Sequence, residues 1–221
     1  GSMTDVTHYR LIAIHSVFRK LFCTIFDKRI RSFISLDDAQ NGFRPDRRCT
    51  DHTFVIRDTI KSHFTRKKQK ELYVIILDFS KAFDRCHIPT LLSKLSKKGV
   101  KGKLLSIIAD MYTNAYASIQ INNSIGRKFK VSRGVAQGCV LSPLFFNIYL
   151  DDLLKRFRES GLGVPVNCTL INALSFADDL ALIAEDKDTV AKYLEILKNW
   201  CDENFFTINT DKSGVMRVSK L

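Results

Sequence analysis

The chain has 221 residues, of which 45% are hydrophobic, and its mean hydropathy is -0.06; such a chain can bury a full core and is not disordered by composition. Its net charge of +12 is uneven: residues 1–173 carry 29 Lys/Arg against 14 Asp/Glu, and residues 174–221 carry 6 against 9. No apolar run approaches the ~18–20 residues of a membrane span and the start shows no signal peptide, so a membrane partner is not expected.

From Tyr9 to Ile34 the apolar positions Ile14, Val17, Phe18, Leu21, Phe22, Ile25, Ile30 and Phe33 follow a mostly helical spacing. Ser16 stands where a helix would be capped, and Arg19, Lys20, Lys28, Arg29 and Arg31 make the other face basic. Gln40–Asp51 is rich in turn residues, and Thr50 or Asp51 predicts the cap of a helix running toward Lys68. Leu72–Asp78 is a short β-rich apolar run that reads as a buried strand delivering Asp78 at its C-terminal end. Residues 88–98 and 102–114 predict two helices around Gly99, and Tyr116–Asn122 with Lys128–Arg133 predicts a hairpin turning near Asn122 and Asn123. Ser142-Pro143 predicts the start of a helix that ends before Gly161, with the serine as cap and the proline at the first helical position.

Ser175–Ala184, SFADDLALIA, carries Asp178 and Asp179 between short apolar runs, which predicts strand, tight turn and strand. Beyond it, Val190, Tyr193, Leu194, Leu197, Trp200 and Cys201 make an amphipathic helical stripe, and Val215–Val218 a closing strand. The mixture of helices with short strands suggests an α+β fold with helices on one sheet face. The six cysteines form no CxxC pair, which speaks for a reducing, intracellular compartment and against disulfides or structural zinc. Cys49 and His52 have a ligand-like gap but no second pair, and read as structural.

Asp78 and Asp178 are the residues that point to a chemistry. Taken alone, Asp178 and Asp179 are readily explained as solvated turn residues. Neighbouring strands of one sheet, however, would bring Asp78 and Asp178 together, and carboxylates facing a core want a cation. Two divalent ions ~3.5–4 Å apart need such shared carboxylates, one activating a hydroxyl and one steadying a leaving pyrophosphate. Hard oxygen ligands and a phosphate substrate point to Mg2+.

The flanks of these aspartates resemble the motifs of reverse transcriptases. Leu77–Asp84, LDFSKAFD, looks like motif A; Arg133–Leu153 looks like motif B; Phe176–Asp179, FADD, is similar to motif C; Asn209–Ser213, NTDKS, to motif D. Asn41–His52 resembles the fingers motif of the non-LTR (LINE-type) and group II intron branch, and Tyr9–Phe22 the motif before it, with Leu11 where proline is usual. Six motifs in the family's order span essentially the whole chain. The form of motifs B and C favours a non-LTR retrotransposon over a retrovirus.

The resemblance implies a right-hand polymerase: fingers over 1–73, a palm strand with motif A over 74–87, connecting helices and a hairpin over 88–135, and palm with motifs B, C and D over 136–221. It implies RNA-directed DNA polymerisation, with an RNA template, a DNA primer and dNTPs as partners, and two Mg2+ ions that Mn2+ can replace. Asp78 and Asp178 would be metal ligands and Asp179 a supporting carboxylate. Phe83 matches the aromatic gate beneath the sugar, though a core phenylalanine is its alternative. Gln137 and Gly138 match the pair near the incoming nucleotide. Arg133 matches a template or triphosphate contact and Lys212 the lysine that protonates pyrophosphate, although a surface charge explains either. Arg10, Lys20 and Arg44 are candidates for triphosphate contacts; Asp84, Asp151 and Asp152 read as structural.

Gly1-Ser2-Met3 looks like a cloning scar, so a piece of something longer is expected, working in cytoplasm and nucleus. No thumb is expected after motif D, and such a fragment would fold yet polymerise poorly. A viral-type RNA-directed RNA polymerase is a rival that Phe83 and Ala177 argue against. A domesticated, non-catalytic nucleic-acid-binding domain is the other, and Asp78, Asp178 and Asp179 argue against that.

Overall fold

The computed structural model describes Tyr9, residues 11–66 and residues 71–219. Helix α1 (Val17–Arg31) starts where Ser16 Oγ accepts the Arg19 N–H at 3.3 Å. Helix α2 (Cys49–Arg66) leads to strand β1 (Glu71–Asp78), then the short helix α3 (Ala82–Arg85), α4 (Ile88–Lys97) and α5 (Gly102–Thr113). Two nested two-stranded pairs follow: β2 (Tyr116–Ala117) with β5 (Phe129–Lys130), and β3 (Gln120–Ile121) with β4 (Ser124–Ile125). Helix α6 (Leu141–Glu159), the pair β6 (Val164–Val166) and β7 (Thr169–Ile171), the hairpin β8 (Ala173–Phe176) and β9 (Asp179–Ala184), helix α7 (Lys187–Asn204) and strand β10 (Gly214–Ser219) complete the described chain.

The central sheet is antiparallel in the order β10-β1-β9-β8, so β1 is flanked on both sides. Its alternation sorts the two faces. Tyr73, Ile75 and Leu77, with Leu180, Leu182 and Ala184 of β9, join the large core beneath α6 and α7. Leu72 and Ile183 join a smaller cluster with Val55, Ile56, Ile60 and Phe64 of α2. That second cover is partial, because Ile76 is 51% exposed. Asp78 lies on the Leu72–Ile76 side, at the open end of this face.

Helix α6 is buried nearly all round from Leu141 to Leu154, as a helix apolar on every side must be. It starts at Leu141, one residue before the expected cap, and Ser142 sits inside its first turn. Trp200 of α7 anchors an aromatic cluster with Phe79, Tyr149 and Phe206, at centroid separations of 6.0, 6.3 and 5.4 Å. Its indole N–H donates to Asp152 Oδ1 at 3.0 Å, and Lys94 Nζ donates to the same oxygen at 2.7 Å.

Helix α1 forms where the apolar spacing predicts it. Its buried side is Cys23, Phe26 and Ile30, whereas Val17, Phe18, Leu21, Phe22 and Ile25 face outward. The spacing was helical, but spacing cannot say which stripe meets the core. All six cysteines are free thiols. No helix among the described residues is long and apolar enough to cross a membrane.

Candidate active site

The β1–β9 register sets Asp78 directly opposite Asp179, and directly opposed residues project to the same face. Asp178 occupies the second position of the two-residue turn between β8 and β9. Three carboxylates therefore gather at one end of the sheet. Asp179 shows the consequence. Partial shielding of its carboxyl, then the charges of Asp178 and Asp78, push its pKa up, while Lys212 opposes the rise.

Asp78 is held from the chain's far end. Its Oδ2 accepts from Asn209 Nδ2 at 3.0 Å, and its backbone N–H donates to Ser213 Oγ at 3.0 Å. The Asn209 N–H donates in turn to the Asp78 carbonyl at 2.8 Å. Asn209 and Ser213 lie within the NTDKS stretch, yet only Lys212 there was expected at the site; an asparagine able to bond both main chain and carboxylate was the available signal.

The donor set is carboxylate oxygen alone, and the mutual repulsion acting on Asp179 is one that a bound cation would relieve; both fit a hard divalent ion. Among the described residues no three His, Cys, Asp or Glu side chains are drawn closely enough to ring an ion, so the fit rests on donor type and placement.

Comparison with known proteins decides what this corner belongs to. The family model for reverse transcriptase (RNA-dependent DNA polymerase) matches residues 3–220. The chain belongs to the reverse transcriptase family. It is 35% identical over 188 residues to a Pol polyprotein of the retrotransposable element R2 from Nasonia vitripennis, covering 85% of this chain and 18% of that protein. It is 30% identical over 204 residues to the R2DM Pol polyprotein of Drosophila melanogaster, covering 92% of this chain and 19% of that one. These and further retrotransposon relatives mark it as a non-LTR reverse transcriptase domain. The chain spans under a fifth of the length of those two relatives. In fold it is similar to a Candida tropicalis telomerase, with a TM-score of 0.66 at 15% identity over 91% of this chain and 34% of that one. The polymerase fold of fingers and palm is thereby shown, and the family generally uses divalent metal ions.

The remaining expected residues of this reverse transcriptase domain fall into distinct places. Phe83 stacks on Phe146, with centroids 4.8 Å apart and rings tilted 12°, and meets Phe43 edge-on at 6.1 Å. Gln137 Nε2 donates to Asp84 Oδ1 at 3.3 Å, which joins motif B to motif A through an aspartate read from sequence as structural. Gly138, at φ 105°, leaves room for Ala13, whose carbonyl oxygen would lie 2.8 Å from an added Cβ. Arg133 lies over the Phe205 ring at 5.7 Å. Lys212 is exposed and close enough to Asp179 to act on its charge.

Among the described residues, no contact draws Lys20 or Arg44 to Asp78, Asp178 or Asp179. Arg44 donates to the carbonyls of Asp37 (2.8 Å) and Gln40 (3.1 Å), so it braces its own loop. Burial lowers its pKa from the ordinary arginine value. Lys20 lies exposed on α1. Arg10 lies outside the described residues.

Proposed function

We propose that this chain is the catalytic fingers-and-palm portion of an RNA-directed DNA polymerase, which adds dNTPs to a primer 3′-hydroxyl on an RNA template. The observation that carries the reading is the register of Asp78 against Asp179 with Asp178 in the adjoining turn. Asp78 and Asp178, with Asp179 in support, would hold Mg2+, two ions in the usual scheme and replaceable by Mn2+. Bound there, the metal lowers the cost of a nucleophilic alkoxide and of charge on the departing pyrophosphate. Asn209 and Ser213 hold Asp78 in place, and Lys212 supplies a positive charge beside the acids. Phe83, backed by Phe146, is the surface against which a 2′-hydroxyl would clash. The excess of Lys/Arg over Asp/Glu in residues 1–173 favours phosphate contacts that do not read sequence. Such an enzyme works on RNA in cytoplasm and nucleus.

Primer extension on a heteropolymeric RNA template tests this, with dNTPs or NTPs, in Mg2+ or Mn2+, for wild type and Asp178→Asn. Synthesis with dNTPs, weak with NTPs and lost in the variant, is the expected result. Tight binding of primer and template with no synthesis, persisting when the chain is extended toward the length of its relatives, would sink the polymerase reading.

A further inference from the structure

The turn that carries Asp178 has an unusual backbone. Ala177, its first residue, has φ 59°, a left-handed conformation in which an L side chain crowds its own main chain. Glycine is the usual residue there. Something outside the hairpin must hold alanine in that state.

The structure assigns this task to Gln40, which we infer is a positioning residue for the Asp178 turn. Gln40 is 1% exposed, and each end of its side-chain amide serves two partners. Oε1 accepts from the Ala177 N–H at 2.9 Å and from the Gly42 N–H at 2.7 Å. Nε2 donates to Ser175 Oγ at 2.9 Å and to the Ala177 carbonyl at 3.2 Å. One amide thus engages both main-chain polar groups of the strained residue, which is what a neighbouring strand would otherwise do.

The loop that bears Gln40 is itself fixed to the hairpin. Asn41 N–H donates to the Ser175 carbonyl and Ser175 N–H to the Ala39 carbonyl, both at 2.8 Å. On its other side, buried Asn147 of α6 donates through Nδ2 to the Gly42 carbonyl at 2.8 Å. A continuous polar path therefore runs from α6 through Gly42 and Gln40 to Ala177, next to Asp178. Ladder pairing of β8 with β9 needs none of it, since Phe176 and Asp179 already pair. Within it both ends of the Gln40 amide are satisfied, and a buried network so paired fixes one geometry where apolar packing would allow several.

The step from turn to metal rests on the polymerase reading; the hold on the turn does not. Amide hydrogen exchange by NMR tests the hold, and Mn2+ binding by water-proton relaxation tests the consequence. In the wild type, the Ala177 and Gly42 amides should exchange as slowly as those of β1 and β9. Gln40→Met keeps the side chain's size without its hydrogen bonds. There, both amides should exchange about tenfold faster or more while Ile75 and Leu182 keep their rates, and Mn2+ should bind about tenfold more weakly. Gln40→Glu retains the acceptor and should restore most of the Ala177 protection.

Turn amides and Mn2+ affinity that stay at wild-type levels in folded Gln40→Met would overturn the inference. So would acceleration of every sheet amide together, which reports general loosening. If Gln40→Met does not fold, the wild type decides: an Ala177 amide that exchanges like an exposed turn refutes the hold, and one protected like the sheet supports it. A wild type that binds Mn2+ but extends no primer refutes the polymerase reading and leaves the exchange result standing. One that binds no Mn2+ refutes the metal reading only.

Discussion

Gly42 makes the contact between its loop and the Asp178 turn possible, and Gly42→Ala measures what that contact is worth. A Cβ at this position would lie 2.1 Å from the Ala177 nitrogen and 2.8 Å from its Cα. Since non-bonded atoms settle at ~3.5–4 Å, the two backbones would have to part by roughly 1.4 Å or more. Neither can retreat freely, because Asn147 holds the Gly42 carbonyl and Ser175 holds Asn41, both at 2.8 Å. Overpacking a tight site costs about 1–3 kcal/mol, and two buried hydrogen bonds lost or stretched add about 1 kcal/mol each. The expected destabilisation is therefore about 3–5 kcal/mol. Trp200, the chain's one tryptophan and fully buried, reports unfolding by fluorescence. With a urea slope of about 2–3 kcal/mol per molar, the midpoint should fall by roughly 1–2.5 M. A midpoint within about 0.3 M of wild type would show that the loop yields easily, and the argument for a rigid contact would fail.

Other outcomes follow from the same structure. Asn209→Ala removes the donor to Asp78 Oδ2; extension rate should drop about tenfold or more, with a melting shift of only a few degrees, and an unchanged rate would mean Asp78 needs no orienting. Asp186 caps α7 by accepting the Thr189 N–H at 2.7 Å, so Asp186→Ala should cost about 1 kcal/mol at neutral pH. Those hydrogen bonds hold the Asp186 pKa below its ordinary value. Its contribution is thus complete above the unfolded-state pKa of about 3.9 and is lost as pH falls through the depressed folded value. The deficit in urea stability should therefore shrink in acid, and a deficit constant from neutral to strongly acidic pH would exclude the ionised cap. Thiol titration should find Cys49 and Cys168 fast and the four buried cysteines slow until unfolding, since burial pushes Cys86 and Cys201 up to about 12. A third fast thiol would place one buried cysteine wrongly.

Much of this was legible beforehand because local signals and tertiary demands agreed. Residues 88–98 and 102–114 read as helices and are helices Ile88–Lys97 and Gly102–Thr113; Asn122, at φ 52°, turns the expected hairpin. Failures came where tertiary packing chose between equivalent patterns. Ser142 has a capping side chain but stands inside the helix, and the helical period of α1 left open that Ile30 is buried while Phe18 and Phe22 are exposed. At the site, the sequence singled out Asp78, Asp178 and Asp179 through flanks that resemble the family's motifs, and the sheet register sets Asp78 opposite Asp179. The sequence could not show that Arg44 is spent on carbonyls of its own loop, or that Gln40, the residue just before the fingers stretch, reaches Ala177 across 137 positions.

The flanking of β1 by β9 and β10 has a consequence for how the molecule is made. The groups that fix Asp78 come from 131 and 135 residues further along, and its strand is paired on its second edge only by residues 214–219. On a ribosome, β1 emerges long before either neighbour and waits with both edges bare. Contacts this distant in sequence form slowly, and an apolar strand left unpaired invites association with another chain. Newly made protein should therefore be most prone to aggregate while residues 79–213 are still being added. The acidic corner cannot be held together until residues 209–219 have been made, so a chain stopped short of them lacks its supports.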